Sequence, residues 1–111
     1  MGGTLRVLTV VNAVVYFGAA AYHSGALIPA GALAPASIAE SLLGLVLAAA
    51  IIGLVPARIA YGIVLAGTIF GLSIVVARGL LGVDLWIHVV MLAGLAVGFV
   101  LLFARRGTQS I

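Results

Sequence analysis

Apolar residues run almost unbroken along this chain, and the interruptions fall where helices would have to turn. Four runs approach the roughly 20 residues that a helix needs to cross a hydrocarbon core. They extend from about Val7 to Ile28, Ser37 to Val55, Ile59 to Ala77 and Leu85 to Ala104. Proline and glycine punctuate the segments between them: Pro29 to Pro35, Pro56 to Arg58, and Arg78 to Asp84. These are helix-stop residues. Ser37 with Glu40 three residues on has the spacing of a capping box, which places the second helix start at Ser37. The pattern predicts an all-α protein, an integral membrane antiparallel four-helix bundle formed as one transmembrane domain over residues 1–111. The connections are short, so consecutive helices should pack up-down-up-down. No strong internal repeat is visible.

Composition supports lipid as the main solvent. Of 111 residues 66% are hydrophobic, and the charged ones are five arginines, one aspartate and one glutamate. A soluble body this small would need a polar surface that seven charges cannot supply. Arg6 and the small residues Ala19, Ala20 and Ala21 offer the elements of a cleavable leader. The apolar run continues past them, so the segment reads as a retained span. The arginines are dispersed and there is no polybasic patch, which argues against nucleic acid as a partner. The absence of cysteine excludes disulfides, iron–sulfur clusters and thiolate metal sites. Phosphate-loop, nucleophile-elbow and metalloprotease motifs are also missing.

Arginine placement predicts orientation. Arg6, Arg58, Arg105 and Arg106 fall on one side and Arg78 alone on the other, so both termini should be cytoplasmic. The first and third connections then face outward. Small residues four apart, Gly44 with Ala48, Gly67 with Gly71 and Gly94 with Gly98, suit close helix packing within the chain or between copies. Tyr22, Tyr61 and Trp86 fit an interfacial aromatic belt, and Phe17, Phe70, Phe99 and Phe103 read as packing or lipid-facing.

Ionisable groups within a membrane are costly, so each is a functional candidate. His23, Glu40 and His88 should lie at one depth, on the order of 5–8 Å below the outer boundary, given 1.5 Å of rise per residue. Asp84 lies one turn from His88, where its carboxylate would orient the imidazole. Arg78 joins them at the same surface and would set the local potential. On the first helix Thr9, Asn12, Tyr16 and His23 form one polar stripe that should face the bundle interior.

Three chemistries suit this set. His23 and His88 could bracket haem b as axial ligands, or with Glu40 hold a non-haem metal such as iron, zinc or copper. Met91, one turn from His88, is a further candidate ligand that fits a core position better. Alternatively His23, His88, Glu40, Asp84, Arg78, Tyr16 and Asn12 surround a quinone or quinol head group and manage its protons. The same groups also suit proton-coupled transport of a solute. Against all three stands an interfacial anchoring role, with Glu40 serving only as a capping residue and Arg78 pairing with Asp84.

Span number and length resemble the small multidrug resistance transporters, which act as dimers. That family's essential glutamate lies in the middle of its first helix, where this chain has Asn12 and Tyr16. The segment Ile38-Ala-Glu-Ser-Leu-Leu-Gly44 resembles the DoxX-like four-helix bacterial membrane proteins. That resemblance implies a bacterial inner (plasma) membrane and a link to quinone-dependent redox systems. The expectation is therefore an inner-membrane protein with a periplasm-facing His/His/Glu site for a redox cofactor or quinol. It would act alone, as a homo-oligomer, or beside other membrane subunits. The alternatives are a non-catalytic assembly subunit and a small transporter.

Overall fold

A computed structural model describes residues 1–109, without the side chains of Ala30 and of residues 105–109. The side chains of Arg105 and Arg106, used above for orientation, therefore lie outside the described residues. Four helices follow one another: α1 Gly3–His23, α2 Ala34–Ile51, α3 Ala57–Ala77 and α4 Val83–Gln109. A single 3-10 turn, Pro29–Gly31, lies between α1 and α2. All four helices are long and apolar enough to cross a membrane. At 1.5 Å per residue the 21-residue α1 is about 31 Å long, which matches the thickness of a hydrocarbon core.

The helix ends differ from the sequence expectation, and glycine explains most of the difference. Helix α1 stops at His23 instead of Ile28 because Gly25 takes a left-handed backbone, φ 81°, just past the end. Helix α2 stops at Ile51 instead of Val55 because Gly53 does the same, φ 84°. There the Leu54 amide donates to Ala49 and the Gly53 amide to Ala50, which satisfies two carbonyls that lipid could not. At the start of α2 the capping box does not form. The helix begins at Ala34, with Pro35 in its first turn and no side-chain cap. Ser37 is thus inside the helix, and its hydroxyl donates to the Ala20 carbonyl of α1 at 2.7 Å.

The neighbouring pairs are α1–α2, α2–α3, α3–α4 and α4–α1, so α1 and α3 face each other across one diagonal. Each helix turns a stripe of three-and-four spacing inward. The buried residues include Leu5, Thr9, Asn12, Tyr16 and His23 on α1, and Glu40, Gly44 and Leu47 on α2. On α3 they include Tyr61, Val64 and Thr68, and on α4 His88, Met91 and Leu95. The opposite faces carry exposed Val7, Val14, Leu42, Leu45, Ile63, Val97 and Val100, which suits contact with lipid chains.

Apolar burial drives little association in lipid, so packing and hydrogen bonds must hold the bundle. The polar stripe of α1 supplies these bonds across the diagonal. Thr9 Oγ1 lies 2.9 Å from the Tyr61 hydroxyl. Asn12 Nδ2 donates to the same hydroxyl at 3.1 Å and to the Gly94 carbonyl of α4 at 3.2 Å. The Tyr16 hydroxyl is hydrogen-bonded to Thr68 Oγ1. Tyr61 is accordingly no belt residue: it is 0% exposed and central to this network. Removing its hydroxyl in Tyr61→Phe should destabilise the bundle by about 1 kcal/mol. Unfolding by SDS in mixed micelles would measure the loss.

The small-residue pairs serve packing within the chain. A side-chain carbon on Gly94 would run into Asn12 Oδ1, and one on Gly98 into the Tyr61 ring. One on Gly67 would meet Leu43 at 3.0 Å.

Candidate functional site

At the end of the bundle formed by the 24–33 and 78–82 connections, three ionisable side chains from three helices meet. The stop at Gly25 makes His23 the last residue of α1, and its ring is 2% exposed. Nδ1 lies 2.6 Å from Glu40 Oε1 on α2, and Nε2 lies 2.5 Å from Asp84 Oδ1 on α4. One imidazole is thus clasped between two carboxylates. The Asp84 side chain is 23% exposed and that of Glu40 only 8%, so the line runs from the surface inward.

Proton counting constrains this triad. Each short N···O contact needs one hydrogen. Either an imidazolium donates to both carboxylates, or a neutral imidazole donates to one while the other, as a carboxylic acid, donates to the ring. Both forms hold two protons and one net negative charge. They interconvert by moving a proton along an existing hydrogen bond.

The triad borders a cavity of about 240 Å³ between the helices. Its walls are mostly apolar, with Ala39 and Leu43 from α2, Phe70 and Ile74 from α3, and Met91 from α4. Ala39, Phe70 and Ile74 are exposed, which puts the mouth between α2 and α3, toward lipid. Arg78 also lines the cavity and is exposed, so it stands at the mouth. Two polar atoms at the inner end matter most. Glu40 Oε2 is buried and has no hydrogen-bond partner among the described residues, although Glu40 as a whole is 6% exposed. His88 Nδ1 donates to the Asp84 carbonyl at 2.7 Å, so in the neutral ring Nε2 is an acceptor. That nitrogen faces Gly71, where an added Cβ would lie 2.9 Å away. The His88 ring packs this closely because residue 71 has no side chain.

The structure brings together His23, Glu40, His88, Asp84, Arg78 and Tyr16 around this cavity, and leaves Asn12 out of its lining. Asn12 is instead a packing residue, committed to Tyr61 and Gly94. Asp84 does not orient His88 through its carboxylate: that group goes to His23, and His88 takes the Asp84 backbone carbonyl. Glu40 is bound to His23 and takes no part in capping.

The metal set of His23, His88 and Glu40 also fails on geometry. Among the described residues no group of three or more His, Cys, Asp or Glu side chains is arranged to hold a metal ion. The reason is local: both His23 nitrogens are engaged by carboxylates, so no lone pair is directed at open space. The same engagement removes His23 as an axial haem ligand. Met91 is 2% exposed and belongs to the core that borders the cavity.

Sequence reasoning missed Tyr61, Thr68 and Gly71 as parts of the polar interior and the cavity. A signal was present. Tyr61, Val64, Thr68, Gly71 and Val75 recur at three and four along α3, the same rhythm as the stripe on α1.

Fold and site together define a polytopic four-helix membrane protein with a buried carboxylate–imidazole–carboxylate centre beside a lipid-facing cavity. Comparison with family models, curated proteins and solved structures gave no match.

Proposed function

We propose that the cavity binds the head group of a membrane-soluble quinol, a dihydroxy aromatic ring carrying an apolar tail. The unpartnered buried Oε2 of Glu40 carries this reading. An orphaned acceptor in an apolar surrounding is costly unless a donor reaches it. Glu40 Oε2 and His88 Nε2 are both acceptors, so the inner end suits the hydroxyls of the reduced ring better than the carbonyls of the dione. Size agrees: an apolar cavity of about 150 Å³ already takes benzene, and this one is about 240 Å³. The mouth between α2 and α3 gives the tail a path into lipid. The resemblance of residues 38–44 to DoxX-like proteins points to the same ligand class. On this reading the protein resides in a bacterial inner membrane with its termini cytoplasmic, and the site opens in the periplasmic leaflet.

The test is equilibrium binding of a decyl-benzoquinol and of its oxidised form to the protein in lipid nanodiscs. Saturable binding is expected, with the reduced form at least about tenfold tighter, the worth of a hydrogen bond to a charged group. Glu40→Gln should weaken quinol binding by about tenfold, and Gly71→Ala should weaken it by displacing the His88 ring that packs against residue 71. Equal affinity for the two redox forms, or no effect of Glu40→Gln, would overturn the reading. A hydrophobic amine that binds where the quinol does not would replace it with a cation site, the charge balance that a small proton-coupled transporter needs. Binding of neither ligand would leave an assembly role.

A further inference from the structure

We infer that His23 and Asp84 form the proton port of Glu40, linking a carboxyl buried in the bundle to water at the bundle end. The reading deepens the site described above and rests on it for what the port serves. Glu40 Oε1, the two nitrogens of His23 and Asp84 Oδ1 form one unbroken chain of contacts of 2.6 and 2.5 Å. One end is the buried carboxyl of Glu40, a residue that lines the cavity and whose second oxygen has no partner among the described residues. The other end is the most exposed member, Asp84.

Tyr16 and His23 face this line from α1, Glu40 from α2, Arg78 from the connection just past α3, and Asp84 and His88 from α4. Tyr22 packs edge-on against the His23 ring. Tyr16 is held by Thr68, and His88 Nδ1 by the Asp84 carbonyl. Arg78 stands at the mouth. Among the described residues, His23 alone is hydrogen-bonded to both carboxyl groups.

The transfer balances without any electron movement. The O–H bond at Glu40 Oε1 breaks as an N–H bond forms at Nδ1. The N–H bond at Nε2 breaks as an O–H bond forms at Asp84 Oδ1. Glu40 is then ionised, His23 is in its other neutral tautomer, and Asp84 exchanges the proton with water. Reprotonation of Glu40 runs the same two shifts backward, so the buried ring never has to turn over. His23 and Asp84 are positioning and relay groups here, and Glu40 is the group that meets the ligand.

Time-resolved infrared spectroscopy after a pH jump tests the port on the full chain in nanodiscs, with no ligand present. The protonated-carboxyl band lost in Glu40→Gln reports Glu40. In the unmodified protein this band should follow the jump. In Asp84→Asn and His23→Gln, which keep hydrogen-bonding side chains at both places, the band should persist and respond at least about tenfold more slowly. An unchanged rate in either variant that retains the helical circular dichroism of the unmodified protein would overturn the port. So would a Glu40 band that never appears at any pH the protein tolerates. Failure of quinol binding with a slowed band would instead sink the ligand reading and keep the port.

Discussion

Replacing His23 by alanine should destabilise the bundle by about 3 kcal/mol, the lower range for removing one partner from a buried charge pair. The imidazole alone separates the Glu40 and Asp84 carboxylates. Without it two acidic groups share one bundle end, and Glu40 loses its single hydrogen-bond partner among the described residues. Asp84 keeps part of its hydration, which holds the cost below the upper range. The loss should be strongly non-additive. In a Glu40→Leu background the same His23→Ala change should cost only about 1 kcal/mol, because the deepest charge is already gone. SDS unfolding of the four proteins closes the double-mutant cycle. Equal costs in both backgrounds would mean that His23 and Glu40 do not stabilise each other.

The second large effect concerns Gly98. Its α-carbon lies against Tyr61, and an added methyl would overlap the aromatic ring. Tyr61 cannot swing aside cheaply: it is fully buried, and its hydroxyl is held by Thr9 and Asn12. Gly98→Ala should therefore cost about 2–3 kcal/mol through overpacking and the loosened network. Gly62 sits one residue beyond Tyr61 on α3 with nothing within 4 Å of where its Cβ would be. Gly62→Ala should leave stability within about 0.5 kcal/mol of the original. The same unfolding assay reads both. Similar costs at the two positions would mean that the helices tolerate a wider α3–α4 separation than the structure shows.

These contrasts mark how far the sequence could be read. Length and hydropathy were enough for four spans, because lipid demands long apolar helices with every backbone group satisfied internally. The stripe on α1 was legible for the same reason. A polar side chain facing lipid has no partner, so Thr9, Asn12, Tyr16 and His23 had to face inward, and all four are buried. The convergence of His23, Glu40 and Asp84 on one end was also legible, since depth along a helix is a matter of counting residues.

Pairing was not legible, because counting gives height and not azimuth. The i, i+4 relation made Asp84 look like the partner of His88, yet the carboxylate reaches across to α1. The serine–glutamate spacing suggested a cap, but α2 starts one turn earlier and its Glu40 meets His23. Tyr61 looked interfacial from its place near the start of α3 and is instead the hub of the diagonal network. The sequence by itself determined a membrane-spanning four-helix chain with a polar interior stripe and a cluster of ionisable groups at one end. Only the tertiary structure decided that the imidazole sits between two carboxylates, that both its nitrogens are thereby withdrawn from metal ligation, and that one oxygen of Glu40 is left buried without a partner among the described residues. The physical reason is that hydrogen bonds between helices depend on rotation and separation to within about 0.5 Å, and a hydrophobic period of 3.6 residues fixes neither so finely.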